Sequence, residues 1–156
     1  MKVLIVTLFL TTLLWLGLAS TAAAATGACS VSAARDDVSA ARSALRRAEA
    51  RLAEARRVLA ATEAYSSDYG SNVGRWVRLS RRVAWPWSAM PTLMFVIDRE
   101  SNGDPAVYNW SGSGAAGLLQ LMPLHYAGRF DPTVARANLA YGRKLYVGSG
   151  WAPWGF

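Results

Sequence analysis

One carboxylate, Glu100, closes an apolar helical run and is followed at once by Ser101, Asn102 and Gly103. Pro91 suits the first turn of that helix, where a missing N–H costs nothing. From there Leu93, Val96, Ile97 and Glu100 fall at helical spacing on one face, while Asp98 and Arg99 turn away from it. A carboxylate sharing an apolar stripe loses water, which disfavours its charged form and suits it to donate a proton near neutral pH. The plainer alternative is a solvated residue at a helix end, with Asn102-Gly103 as an ordinary C-terminal stop.

A polar loop follows, from Gly103 through Tyr108, Asn109, Trp110 and Ser113 to Gly117, and its glycines allow backbone to approach a ligand closely. Tyr108 and Trp110 offer flat faces of the kind sugar rings pack against, or else they cap a small core. Gly117 to Met122 reads as a short helical turn whose Gln120 points into a cleft, since a buried amide needs hydrogen-bond partners.

These residues share their order with a known family. Glu100-Ser101, Asn102-Gly103-Asp104-Pro105, Asn109, Ser113-Gly114-Ala115, Gly117-Leu118-Leu119-Gln120 with Met122-Pro123, Asp131-Pro132 and Asn138 together resemble the soluble lytic transglycosylases. These are lysozyme-like enzymes that cleave peptidoglycan glycan strands. The resemblance runs from about Pro86 to Phe156 and implies a small, mainly α-helical lysozyme-like domain. It also implies that Glu100 is the one catalytic residue, acting as both acid and base to give 1,6-anhydro products. Ser101, Tyr108, Asn109, Gln120, Asn138, Tyr141 and Trp154 become the candidate substrate contacts, with Asn138 equally suited to a structural role. Many members carry a later Ala-Tyr-Asn-Ala-Gly segment whose tyrosine faces the catalytic glutamate; Tyr141 or Trp154 would take that place here. The Ser111–Ala116 segment is also slightly longer than the family pattern.

Other reactive side chains are few. Glycosidases of the two-carboxylate type need a second Asp or Glu in the cleft, but Asp98 faces away, Asp104 sits in a turn and Asp131 reads as a helix cap. His125 is the single histidine and has no Ser or Cys nucleophile signature nearby, so it reads as a surface or cleft-rim residue. Cys29 is the single cysteine, which excludes an intramolecular disulfide, and no metal-ligand spacing occurs. Neither a metal nor another cofactor is expected. Lipidation of Cys29 is disfavoured by Thr26, which stands where lipoprotein signals carry Leu.

The elements that must position this chemistry come in four blocks. Residues 1–25 begin with Lys2, continue as an apolar run from Val3 to Ala19 and end in small residues, the pattern of a secretory signal peptide or, alternatively, an uncleaved anchor. From 30 to 66, Val31, Val38, Leu45, Leu52 and Leu59 recur every seven residues. Ala34, Ala41, Ala48, Ala55 and Thr62 fill the second seam position. Such a repeat predicts an Ala-rich coiled-coil arm, or else a long helix packed on its own domain. Residues 67–85 read as a Gly/Ser linker and a basic amphipathic helix with Trp76, Leu79 and Val83 on one side and Arg75, Arg78, Arg81 and Arg82 on the other, the basic side being either a solvated helix face or one that lies on an anionic surface. Residues 86–156 hold the catalytic motifs and a helix, capped at Asp131-Pro132, that runs to about Val147 with Val134, Asn138, Tyr141 and Leu145 inward. Trp151 and Trp154 then cover the core or form a sugar platform.

Lys and Arg number 17 against 10 Asp and Glu, for a net charge of +7. An exported basic protein suits anionic wall polymers and lipid headgroups. Nucleic acid is the other polyanion, but no recognition module is present. The expected partners are peptidoglycan strands at the cell envelope, a second helix along the seam and a membrane surface. Two further readings stay open: a muramidase-type hydrolase, and a non-catalytic envelope scaffold that only grips glycan.

Overall fold

Ala, Arg, Glu and Leu dominate the first half of the chain, and good helix formers in such density give one long helix, α1, over Val31–Tyr69. The computed structural model describes residues 31–156, so the leader over 1–25 and Cys29 lie outside it. Two units divide the chain, 1–46 and 47–156. In the first, Val38 and Leu45 of the heptad seam are exposed to solvent. In the second, Leu52 and Leu59 are exposed as well, whereas Val58, Ala61, Tyr65 and Tyr69 pack against the core. The face α1 turns to its own domain is thus a neighbouring stripe of the helix, not the seam.

Gly70, at φ 93°, breaks α1, and the short helices α2 (Ser71–Gly74) and α3 (Val77–Arg82) follow. Gly74 lies so close to α1 that a Cβ there would come within 2.1 Å of Ser66 Oγ and 2.8 Å of the Thr62 carbonyl oxygen. Val73 and Val77 are fully buried in the same core as Trp85 and Leu93. The Gly/Ser stretch up to Gly74 is therefore packed structure where a linker was expected, and a short helix follows it as expected. The inward residues of α3 are Val77 and Ser80, and Trp76 is held by an Nε1–H bond of 2.9 Å to the Gly103 carbonyl.

A 3₁₀ turn at Trp87–Ala89 leads into α4 (Met90–Ser101), with Pro91 in its first turn. Met90, Leu93, Met94, Val96 and Ile97 are buried, each contributing about 1.5–3 kcal/mol through removal of apolar surface from water. The loop after α4 has only isolated bridges, Tyr108 with Ala116 and Ala116 with Leu121. Beyond them come α5 (Pro123–Tyr126), α6 (Ala135–Ser149) and a final 3₁₀ turn at Ala152–Trp154. Asp131 takes N–H and O–H bonds from Thr133 at 2.8 and 2.7 Å in the turn before α6, while Val134 is the residue at the helix start. Asn138, Leu139 and Gly142 form the buried side of α6; Val134 is exposed. Trp85 closes the core, stacked on Trp151 at 5.5 Å and donating its Nε1–H to the Leu139 carbonyl at 2.9 Å. The described chain is mainly helical, as the motifs implied, and none of its helices is long and apolar enough to cross a membrane.

Candidate active site

The end of α4 is set by backbone geometry. Asn102 adopts the left-handed conformation at φ 48°, and Gly103 follows at φ 73°, which stops the helix one residue after Glu100–Ser101. A Cβ at position 103 would sit 2.3 Å from the Asn72 carbonyl oxygen, so glycine is required where α2 meets the helix end.

Glu100 lies at the border of the apolar stripe. Leu93, Val96 and Ile97 are fully buried, and the Glu100 side chain keeps 25% exposure. Arg99 does not turn away as expected. Its Nε and Nη2 donate to Glu100 Oε1 at 3.0 and 2.7 Å, and Nη2 also donates to the Trp154 carbonyl at 2.6 Å. The guanidinium stacks on Phe156, 4.8 Å from the ring centre. Long aliphatic stems let Arg reach a neighbour that helical direction alone would exclude. Glu100 Oε2 accepts no hydrogen bond among the described residues.

Facing the helix end is the 117–120 segment, which forms a tight turn in place of the helical one expected. Ala116 and Leu121 exchange both backbone hydrogen bonds at 3.0 Å, and the turn between them needs positive φ at Gly117 (78°) and Gln120 (44°). A Cβ on residue 117 would come 2.1 Å from the Pro132 carbonyl oxygen. Four of the candidate substrate contacts make hydrogen bonds to the backbone of this turn. The Ser101 hydroxyl is buried, 3.0 Å from the carbonyl oxygens of both Ile97 and Leu118. Asn138 is fully buried; its Oδ1 accepts the Leu119 N–H at 3.0 Å, and its Nδ2 donates to the Ala116 and Pro132 carbonyls at 3.0 Å each. Trp154, also buried, donates Nε1–H to the Leu119 carbonyl at 3.0 Å. Gln120 is half-buried, and its Nε2 donates to the Gly117 and Val107 carbonyls at 3.1 and 3.3 Å. Buried backbone polar groups of an irregular loop need such partners, and these side chains supply them.

The remaining candidates keep free surface. Asn109 is exposed, with its amide 3.4 Å from Ser113 Oγ. Tyr108 stacks on Trp110 at 3.9 Å, and Trp110 is 84% exposed. The Tyr108 hydroxyl lies 3.2 Å from that of Tyr126, which is buried and donates to the Gly114 carbonyl. This pairing, with burial second, pushes the Tyr126 phenol up to about 12. Tyr141 packs between Phe130 and His125 at 5.3 and 5.5 Å, and its hydroxyl makes no hydrogen bond among the described residues. His125, whose pKa is lowered by burial and by Arg129, lines a recess of about 30 Å³ with Gln120, Met122, Leu145 and Trp154. That volume admits a water molecule, not a sugar.

Asp104 accepts the Ala106 N–H at 2.9 Å and Asp131 is engaged by Thr133, so both serve turns. No group of three or more His, Cys, Asp or Glu side chains among the described residues is placed to hold a metal ion. Sequence reasoning missed Arg99; its adjacency to Glu100 was the one available signal.

Residues 84–137 match the family model of the transglycosylase SLT domain. The match includes Glu100, the 117–120 turn and Asp131-Pro132, and it bears out the resemblance read from the motif order. No curated protein and no solved structure matches the chain.

Proposed function

Because residues 84–137 carry a transglycosylase SLT domain, a family that cleaves peptidoglycan glycan strands, we propose that Glu100 cleaves the β-1,4 bond between N-acetylmuramic acid and N-acetylglucosamine. In the acid form Glu100 protonates the glycosidic oxygen as the bond to the muramyl C1 breaks. The positive charge that develops at C1 is stabilised by the substrate's own N-acetyl oxygen. Glu100, now a carboxylate, takes the proton of the C6 hydroxyl as O6 closes on C1, giving a 1,6-anhydro end with no water consumed. The acid is thereby restored.

The observation that carries this reading is Glu100 at the rim of a buried helix stripe, with Oε2 unengaged and the 117–120 wall fixed opposite by Ser101, Asn138 and Trp154. Tyr141, Asn109 and the exposed Trp110 are the groups left to meet sugar. The turn roles of Asp104 and Asp131 favour the single-acid route over two-carboxylate hydrolysis. Export by the 1–25 leader would deliver the protein to the envelope, and the open seam at Val38 and Leu45 would let a second helix pair with α1.

Digestion of purified peptidoglycan, with product masses read out, tests the assignment. Anhydro muropeptides from the wild type and none from Glu100→Gln support it. Products one water heavier would make the protein a hydrolase, and glycan binding without cleavage would make it a scaffold.

A further inference from the structure

A groove of about 690 Å³ lies in the 47–156 unit, between α1 and the arginines on and just before α3. Its floor is Ala55, Val58, Leu59 and Thr62; its wall is Arg75, Arg78, Arg81 and Arg82. Leu59 is 59% exposed there, which a merely solvated basic helix face would not require. The one carboxylate in the lining, Glu54, is already satisfied by Arg81 Nε at 2.9 Å and Trp87 Nε1 at 3.1 Å. That bond from Arg81, reinforced by Trp87 and the nearby guanidinium charges against the cost of burial, keeps the Glu54 carboxyl below its usual range. Arg75 donates to the Gly103 carbonyl at 3.1 Å. Arg78 and Arg82 are exposed and make no hydrogen bond or ion pair among the described residues.

We propose that this groove docks the protein on an anionic phospholipid surface, arginines on the phosphates and the Leu59–Val58 floor against acyl chain. Charge complementarity selects an anion, since four guanidinium groups face one neutralised carboxylate. The apolar floor selects a lipid over a hydrophilic wall polymer, which has no hydrocarbon to bury there. A second copy of α1 would bring its own arginines against the same wall.

The test is vesicle co-sedimentation of the full chain, using phosphatidylcholine with and without phosphatidylglycerol. Wild type is compared with Arg78→Glu/Arg82→Glu and with Leu59→Ser, and thermal denaturation verifies that each variant folds. The apolar leader is common to all these proteins, so the readout is the gain on adding anionic lipid. The expected result is a gain that added salt screens and that falls roughly 30-fold or more in the double variant, equivalent to about 1 kcal/mol for each of the two arginines replaced. Leu59→Ser should weaken binding to anionic vesicles without changing its salt dependence. Equal binding to neutral and anionic vesicles overturns the proposal, as does an unaffected double variant. Arginine-dependent binding to lipid-free peptidoglycan with no anionic-vesicle gain, or a dimer broken by Leu59→Ser, would assign the groove to a wall polymer or a second copy. Peptidoglycan cleavage is read separately, so failure here leaves the enzymatic reading untouched.

Discussion

Arg99 grips the carboxylate of its chain neighbour Glu100: Nη2 stands 2.7 Å from Oε1 and, in the same pose, 2.6 Å from the carbonyl of Trp154. One guanidinium therefore ties the proposed proton donor to the C-terminal turn, and through Trp154 Nε1 to Leu119 in the facing wall.

Arg99→Ala should leave Glu100 free to swing. The expected outcome is a loss of roughly 10²-fold in peptidoglycan cleavage, the scale of a misplaced catalytic group. Melting temperature should change little, because partly exposed ion pairs contribute about 0–1 kcal/mol. Lysine cannot fork between both acceptors and should recover only part of the rate. An unchanged rate in the alanine variant would remove Arg99 from any positioning role.

Asn138 carries three buried hydrogen bonds to the 116–119 segment and Pro132. Asn138→Ala is expected to cost about 3 kcal/mol, since the freed backbone groups stay desolvated. Asn138→Asp keeps the acceptor for Leu119 N–H but sets a buried carboxylate oxygen against the Ala116 and Pro132 carbonyls, so at neutral pH it should cost at least as much as alanine. Denaturant unfolding ranks the three proteins, and an alanine variant as stable as wild type would contradict the bracing role.

Tyr126 holds its proton in the fold up to about 12, against an ordinary value of 10.0, through its bond with Tyr108 and its burial. The folded state thus favours the neutral phenol. Its contribution is complete below pH 10.0 and is lost as pH climbs towards 12. Phenolate absorbance should show one late-titrating tyrosine that vanishes in Tyr126→Phe, and the melting temperature of wild type should drop across that window. A wild-type titration without a late phase would refute the pairing.

Ser80 is fully buried on α3, and its Oγ has no hydrogen-bond partner among the described residues. Ser80→Ala should raise stability by about 1 kcal/mol by deleting an unsatisfied group. A loss measured by thermal unfolding would mean that the hydroxyl is in fact hydrogen-bonded.

The helices and the order of the site motifs were legible because periodicity and Pro or Gly punctuation are local signals: Pro91 with Leu93, Val96 and Ile97 marked α4, and Asn102-Gly103 marked its end. The backbone partners of Ser101, Gln120, Asn138 and Trp154 were not legible, although the sequence leaves a structural role open for Asn138 and Trp154. Each side chain bonds backbone atoms far along the chain, and amino-acid type alone does not separate a polar group that holds a loop from one that holds a sugar. The seven-residue recurrence in α1 was real, yet the packed stripe is Val58, Ala61, Tyr65 and Tyr69, because the partner surface on α2 and the core, not the repeat, decides which side is covered.

Gly74 pressed against Thr62 and Ser66, with Val73 and Val77 beneath, has a practical reach. A recombinant piece trimmed to the borders of the family match would lose those valines at one edge and Leu139 and Trp154 at the other. A fragment meant to keep the packed core should therefore begin inside the long helix, upstream of Val58.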